Sequence, residues 1–136
     1  MSRTDHPFPP DARAVVDAFF DRMNAHDTEG VLALIDEDVD WWIAGNLPFS
    51  GQRTKLEVSN LIPMVFGVFP DFKFVVHSTT CEGNRVAVEA ESFATRPDGQ
   101  RYNNRYHDLF EVADGRIRAA REYYDTLHTS EVMLGG

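Results

Sequence analysis

The chain contains very little cysteine and no long apolar run. Cys81 is the only cysteine in 136 residues, so no disulfide can form within the chain, as expected in a reducing compartment. No stretch approaches the ~20 consecutive apolar residues that span a bilayer. Residues 1–10 are polar and proline-rich and lack the apolar stretch of a secretion signal. We therefore expect a cytoplasmic protein with no membrane contact.

Basic residues and cofactor motifs are also scarce. Lys and Arg number 13 against 22 Asp and Glu, which gives a net charge of −9 that repels phosphate backbones. The five histidines are scattered without an HxH or HExxH spacing, and no phosphate-binding loop, Ser-His-Asp order or haem motif is present. The sequence predicts neither a nucleic-acid partner nor a cofactor or metal, although clustered acids remain an alternative route to a divalent cation.

The first half of the chain carries helical periodicity. Residues 1–10 read as a flexible arm, and residues 11–136 suit a single domain. Apolar residues at three- and four-residue spacing predict a helix from Asp11 onward, a short helix near residues 28–35 and a third helix near residues 54–68. Pro63 predicts a kink or break in the third helix.

The second half changes to a strand pattern. A first strand is predicted at residues 38–44, and four more at about 71–81, 85–96, 101–112 and 116–126. Turn residues of the Gly, Asn, Pro and Asp types separate the last four. Helices followed by an antiparallel meander predict an α+β fold, with the helices packed on one sheet face.

The 101–112 strand has polar residues on both faces, which in a concave sheet is typical of a pocket. If Asp98-Gly99 is a two-residue loop and residues 113–115 a three-residue loop, one face collects eight side chains: Glu89, Glu91, Phe93, Asn104, Tyr106, Asp108, Glu122 and Tyr124. Pro97 instead favours a three-residue first loop. In that case Val88 and Ala90 face the pocket, and Glu89 and Glu91 face solvent.

Two segments carry a family resemblance: VVDAFFDRMNAHDTEGVLALIDEDVDW (15–41) and DGQRYNNRYHDLFEVADGRIRAAREYYD (98–125). They resemble the SnoaL-like and ketosteroid-isomerase-like proteins of the nuclear-transport-factor-2-like superfamily. The resemblance implies a cone-shaped, curved antiparallel sheet wrapped by about three helices. It also implies a deep apolar pocket and a homodimer formed through the outer sheet face.

Ketosteroid isomerase implies three catalytic positions in this chain. Its acid tyrosine falls on Phe19 and its base falls on Ile43. Its neutral Asp, which stabilises the oxyanion, falls on Asp108. Phe19 cannot donate a hydrogen bond and Ile43 cannot accept a proton. The resemblance therefore predicts that steroid isomerisation by that mechanism is absent.

The last two hairpins also resemble limonene epoxide hydrolase. Its two catalytic acids fall on Glu91 and Glu122, and its linking arginine falls on Glu89. Its water-holding Tyr and Asn fall on Trp41 and Ile43. Both acids are kept as glutamates, but the cation and the water-holding pair are missing, so epoxide hydrolysis is not implied.

Carboxyls in an apolar pocket repel one another and lose hydration, which raises their pKa values and suits general acid/base catalysis. The predicted catalytic residues are Glu91, Glu122, Asp108 and Tyr106. The predicted substrate-binding residues are Trp41, Phe19, Phe93, Asn104, Tyr124, Ile62 and Phe66. We expect an isomerase, cyclase or hydrolase acting on a small apolar oxygenated molecule. The alternatives are a non-catalytic small-molecule binder and a dimeric accessory protein.

Overall fold

The computed structural model describes residues 11–136, and the predicted arm at residues 1–10 lies outside this range. The first helix, α1, spans Ala12–Asn24, and the side chain of Asp11 caps it by accepting the backbone N–H of Ala14. Its apolar stripe is buried, as the periodicity predicts: Val15, Val16, Phe19, Phe20 and Met23.

The next four elements are two helices and two strands, and they include β2 at one edge of the sheet. Helix α2 spans Thr28–Ala33, strand β1 spans Ile35–Ile43, strand β2 spans Gly51–Arg53 and helix α3 spans Lys55–Val68. The sequence analysis did not predict the short β2. Helix α3 begins with a reciprocal Thr54–Glu57 capping box and continues through Pro63 without the predicted break. Pro63 is exposed, so water can satisfy the carbonyl group that its missing N–H leaves free.

The remaining strands form a meander. Strands β3 (Lys73–Glu82), β4 (Arg85–Thr95), β5 (Arg101–Ala113) and β6 (Arg116–Tyr124) are followed by helix α4 (Thr126–Met133). The sheet has six strands in the order β2-β1-β6-β5-β4-β3 and is open at both edges. All pairs are antiparallel except β1 with β6, which are parallel. The predicted α+β class and curved sheet are confirmed.

The β4–β5 hairpin differs from the preferred register. Its loop has three residues, because Arg96 and Gln100 pair through their backbone and the N–H of Gly99 bonds the carbonyl of Arg96 at 2.9 Å. Pro97 suits the first turn position, and Gly99 takes a positive φ of 93° that glycine adopts without strain. As a result Ala90 lies opposite Tyr106, and Val88 lies opposite Asp108.

The β5–β6 hairpin also differs from the preferred register, but its side chains stay on the predicted faces of the sheet. Asp114 and Gly115 both have positive φ, so the loop has two residues rather than three. A bulge between Glu111 and Val112 adds a second one-residue shift. The two shifts together bring Asp108 opposite Glu122 and leave both side chains on the same face.

The inner face of β4 and β5 is buried beneath the helices. Along β5 every second side chain from Tyr102 to Val112 is buried, and the intervening ones are exposed or partly exposed. This alternation divides the sheet into an inner face, which packs on α1 and α3, and an outer face turned to solvent. No helix within residues 11–136 is long and apolar enough to cross a membrane.

Candidate functional site: a pocket with a carboxyl pair

The inner face encloses a cavity of about 120 Å³ beneath α1, α3 and α4. Its walls are mostly aromatic and aliphatic, and its polar groups come from β5, β6 and α4. The polar lining residues are Tyr102, Tyr106, Asp108, Glu122, Tyr124 and Thr129. An apolar cavity with a few convergent polar groups is the usual form of a small-molecule site.

Asp108 and Glu122 stand side by side on the cavity floor. They are directly opposite each other on β5 and β6. Asp108 is only 4% exposed, and its Oδ1 is the one buried side-chain oxygen or nitrogen of residues 11–136 without a hydrogen-bond partner. Burial raises the pKa of Asp108 well above its ordinary value, and the neighbouring Glu122 raises it further. The backbone N–H of Tyr123 offsets only part of this rise.

Glu122 is stabilised by an indole. The Nε1–H of Trp41 on β1 donates to Glu122 Oε2 at 2.6 Å, across the parallel β1–β6 pairing. Burial raises the pKa of Glu122, while the bond from Trp41 opposes that rise. An indole N–H can only donate, so it favours the ionised carboxylate.

A second polar group consists of hydroxyls, which we call the hydroxyl network: Ser92, Tyr102, Tyr106 and Thr129. The Tyr102 and Tyr106 oxygens are 2.8 Å apart, and Tyr102 lies 2.9 Å from Thr129 Oγ1. The Tyr106 hydroxyl lies 3.1 Å from Ser92 Oγ, and Thr129 Oγ1 lies 3.2 Å from the carbonyl oxygen of Asp125.

Asn104 ties the hydroxyl network to the start of α4. Its Nδ2 lies 3.0 Å from the Tyr102 hydroxyl, 3.1 Å from Thr129 Oγ1 and 2.9 Å from the Asp125 carbonyl. Its Oδ1 accepts the backbone N–H groups of Arg105 and Asp125. Asn104 is 3% exposed and does not line the cavity, so it positions the wall rather than contacting a ligand.

Aromatic rings separate the two polar groups from solvent. Phe19 lies 5.9 Å from Trp41 and 5.5 Å from Phe110, measured between ring centroids. The ring centroids of Tyr124 and Tyr106 are 5.2 Å apart. Within residues 11–136 the Tyr124 hydroxyl forms no hydrogen bond. The predicted residues Phe19, Trp41, Ile62, Tyr106, Asp108, Glu122 and Tyr124 therefore share one cavity.

Glu91 and Phe93 do not lie in the pocket, and their predicted placement there is wrong. The three-residue β4–β5 loop turns both side chains, together with Glu89, to the outer face. Glu91 there bonds Asn103 Nδ2 and His77 Nε2, both at 2.8 Å, and its Oε1 is 3.5 Å from Arg105. The bonds from Asn103 and His77 lower the pKa of Glu91, so it is an ordinary ionised surface acid. Phe93 is 44% exposed.

Phe66, like Asn104, is predicted to bind substrate but lies outside the cavity lining. Its ring stacks on the imidazole of His26 at a centroid distance of 4.1 Å, and the Nε2 of His26 lies 2.8 Å from the carbonyl oxygen of Phe72. Phe66 thus packs the loop after α1 against the loop after α3 instead of facing the cavity.

The sequence analysis missed Thr129, because it did not predict α4, and it did not select Tyr102, although strand alternation places Tyr102 on the same face of β5 as Tyr106. Thr129 and Met133 close one end of the cavity from this helix. The available signal was Asp125, whose carboxylate accepts the backbone N–H of His128 and caps the helix.

Metal ligands do not converge in this pocket. Among residues 11–136 no three His, Cys, Asp or Glu side chains are placed to hold a metal ion. The polar groups are instead two adjacent carboxyls and a chain of hydroxyls, a set suited to proton transfer and hydrogen bonding.

Several solved structures share this fold. IdmH, a candidate polyketide cyclase from Streptomyces antibioticus, superposes with a TM-score of 0.77 at 20% identity over 92% of this chain and 99% of its own. A candidate SnoaL-like polyketide cyclase from Jannaschia sp. CCS1 gives 0.74 at 20% identity over 99% of both chains. TerC, co-crystallised with polyporic acid, gives 0.76 at 18% identity over 88% of this chain and 95% of its own.

No curated protein matches the chain. Residues 16–120, however, match the SnoaL-like domain family, which spans most of α1 through most of β6 and includes both Asp108 and the β1 tryptophans. Together with the cavity and the nuclear-transport-factor-2-like architecture, this match shows that the chain belongs to the SnoaL-like domain family.

Proposed function

We propose that this protein is an enzyme that moves a proton on a small, largely apolar carbonyl compound, with Asp108 as general acid and Glu122 as general base. The observation that carries the proposal is the unpartnered Oδ1 of Asp108, buried beside Glu122 in an apolar cavity. An unpaired buried carboxyl destabilises a fold, so its retention favours a functional role.

The roles follow from what each carboxyl touches. Two adjacent carboxyls in a dry pocket cannot both ionise easily, so one keeps a proton at neutral pH. Glu122 accepts the Trp41 indole N–H, which favours its charged form. Asp108 Oδ1 has no donor, so the proton resides on Asp108 and the charge on Glu122.

This arrangement suits enolisation. Glu122 removes a proton from the carbon next to the carbonyl, and the C–H electron pair forms the enol double bond. The carbonyl oxygen meanwhile takes a hydrogen bond or the proton from Asp108. Returning a proton to a different carbon isomerises the substrate, while attack by the enol carbon on a second carbonyl closes a ring. Neither outcome needs an oxidant or reductant.

The pocket walls strengthen both roles. The rings of Phe19, Trp41 and Phe110 keep bulk water from the carboxyls, and electrostatic interactions are stronger in such a medium. Two of the comparison proteins are described as candidate polyketide cyclases, and ring closure is one outcome of the proposed step.

Deuterium exchange tests the proposal. The protein is incubated in D2O with a panel of small aryl ketones and cyclic ketones, and deuterium entering the carbon next to the carbonyl is followed by NMR. Exchange faster than the buffer rate, lost in Asp108→Asn and in Glu122→Gln, is the expected result. Wild-type exchange at the buffer rate across the panel, with binding confirmed by calorimetry, would refute the acid/base role.

A non-catalytic binder is the second candidate. The positions where ketosteroid isomerase has its acid and base hold Phe19 and Ile43, which cannot transfer protons. The hydroxyl of Tyr106 is also engaged by Ser92 and Tyr102. A ligand that raises the melting temperature but is recovered without deuterium or rearrangement would favour this candidate.

We also propose that a second copy of the chain covers the outer sheet face. Tyr123 is 47% exposed and Phe93 and Val75 are each 44% exposed on this face. Both signs of charge occur beside them, as in the Glu91–Arg105 pair, so two copies related by a twofold axis can pair charges. Light scattering on wild type and Phe93→Asp tests this: a wild-type dimer and a variant monomer are expected, and a wild-type monomer would refute it.

A further inference from the structure

The hydroxyl network uses all of its tyrosine and threonine protons internally. Thr129 donates either to the carbonyl of Asp125 or to Tyr102. Tyr106 donates either to Ser92 or to Tyr102, and Tyr102 donates either to Tyr106 or to Thr129. Only two arrangements place one proton in each of the Tyr102–Tyr106 and Tyr102–Thr129 contacts, at 2.8 and 2.9 Å.

In the first arrangement Thr129 donates to Tyr102, Tyr102 donates to Tyr106, and Tyr106 donates to Ser92. In the second, Tyr106 donates to Tyr102, which donates to Thr129. Asn104 Nδ2 supplies a further proton to this cluster in both cases. Neither arrangement leaves a proton of Tyr102, Tyr106 or Thr129 for the cavity, so these three side chains present only oxygen lone pairs to a ligand.

These hydroxyls also keep their protons at neutral pH. Burial raises the pKa of Tyr102 and raises that of Tyr106 still further. The network is therefore neutral and accepts hydrogen bonds, whereas the carboxyl pair offers the proton of Asp108. The two polar groups of one cavity have opposite hydrogen-bonding character.

We propose that the Tyr102–Tyr106–Thr129 end of the cavity is a subsite that accepts a hydrogen bond from a ligand hydroxyl. The pocket then selects a molecule with a carbonyl at the Asp108 end and a hydroxyl at the other. The inference rests on the proposed function for the carbonyl end and adds the substrate class: a hydroxylated ketone of ring size.

The dimensions agree with such a ligand. Tyr106 and Asp108 are successive inward residues on β5, which sets their Cα atoms about 7 Å apart. The cavity volume of about 120 Å³ is close to the ~150 Å³ of an engineered protein cavity that holds benzene. A ligand built on a single six-membered ring is therefore on the scale of this cavity.

A matched ligand pair tests the subsite without any mutation. 4-Hydroxyacetophenone and 4-fluoroacetophenone have nearly the same size, but only the first can donate from its ring substituent. Calorimetric titration of the wild type should show about tenfold tighter binding of the hydroxyl compound, the scale of one neutral hydrogen bond. Equal affinities, or no binding of either compound, would overturn the subsite.

Two variants locate the preference. Tyr106→Phe should remove most of the tenfold difference by weakening only the hydroxyl compound, and Thr129→Val serves if that variant is unstable. Tyr123→Phe, on the outer face of β6, is the matched control and should keep the full difference. A preference unchanged in both network variants would also overturn the proposal.

Binding and exchange separate the two proposals. A wild type that prefers the hydroxyl compound but exchanges no deuterium would keep the subsite and refute the acid/base function. Exchange on both ketones without any binding preference would keep the acid/base function and refute the subsite.

Discussion

The two faces of the central sheet carry the same acidic residue types, but the pKa values of these residues are shifted in opposite directions. On the inner face, Asp108 and Glu122 are held against aromatic rings, and burial raises both pKa values. On the outer face, Glu91 contacts Asn103 and His77, and its pKa is lowered. The comparison shows that the partners of a carboxyl, and not its identity, decide whether it can act as an acid at neutral pH.

Neighbouring residues on each strand supply matched tests, because alternate side chains point to opposite faces. Asn104 and Asn103 are one such pair, and Trp41 and Trp42 are another. A substitution on the inner face should disturb the pocket, and the same substitution one residue away should not.

The largest expected effect is on deuterium exchange. Glu122→Gln should lower the exchange rate about 10²–10⁴-fold, the usual contribution of a general acid or base. Glu91→Gln should leave the rate within about twofold, because Glu91 faces away from the cavity. NMR rates on both variants check this, and a comparable loss in both would erase the distinction between the faces.

The next effect is on stability. Asn104→Ala should lower the free energy of unfolding by about 3 kcal/mol, because it leaves buried backbone and hydroxyl groups without partners. Asn103→Ala removes bonds to Glu91 and to the Ser92 carbonyl at a more exposed position and should cost much less. Urea denaturation of the two variants measures the difference, which would be absent if α4 held its place without Asn104.

Trp41→Phe should have a smaller effect on exchange. Losing the indole N–H removes the bond that favours ionised Glu122, so the pKa of Glu122 should rise. The exchange rate at neutral pH should fall about tenfold and its pH profile should move upward, as expected for one hydrogen bond to a charged group. Trp42→Phe, which alters packing against Tyr123, should leave the pH profile unchanged.

The smallest effect lies in the pH dependence of stability. Asp108 has a raised pKa in the folded state, so its contribution is present below about pH 4 and is lost as pH rises toward the folded value. Asp108→Asn should therefore flatten the decline of stability above pH 4. Glu91 has a lowered pKa, so its contribution is present above about pH 4.5 and is lost as pH falls.

Chemical denaturation at a series of pH values compares these two variants. Glu91→Gln should change the dependence of stability on pH only on the acid side of the profile. Asp108→Asn should change it only between about pH 4 and neutral pH. If both variants changed the same limb, the inferred difference in environment between the two carboxyls would be wrong.

Much of the fold could be predicted from local pattern. The apolar stripe of α1 and the alternation along β5 depend on residues close in sequence, and the structure shows both. The β4–β5 register could not be chosen from pattern alone. Pro97-Asp98-Gly99 suits either loop length, and a one-residue shift exchanges the faces. Glu91 and Phe93 were misplaced for this reason.

The elements that the sequence analysis missed depend on distant contacts. Helix α4 has only a weak apolar side, and it docks through Thr129 to Tyr102 and through Asp125 to Asn104. Strand β2 has three residues and is defined by its pairing with β1. Short elements of this kind are stabilised by tertiary packing more than by propensity.

The sequence by itself determined the layered architecture, because helical and strand periodicities sort side chains onto faces within a few residues. It also placed Asp108 and Tyr106 on a single face of β5, since strand residues alternate. Only the tertiary structure decided which acids share the cavity. The Asp108–Glu122 pair depends on a loop length and a bulge, and the Trp41–Glu122 bond joins residues 81 positions apart. The physical reason is that pKa values follow burial and contact, and these exist only once distant segments have packed together.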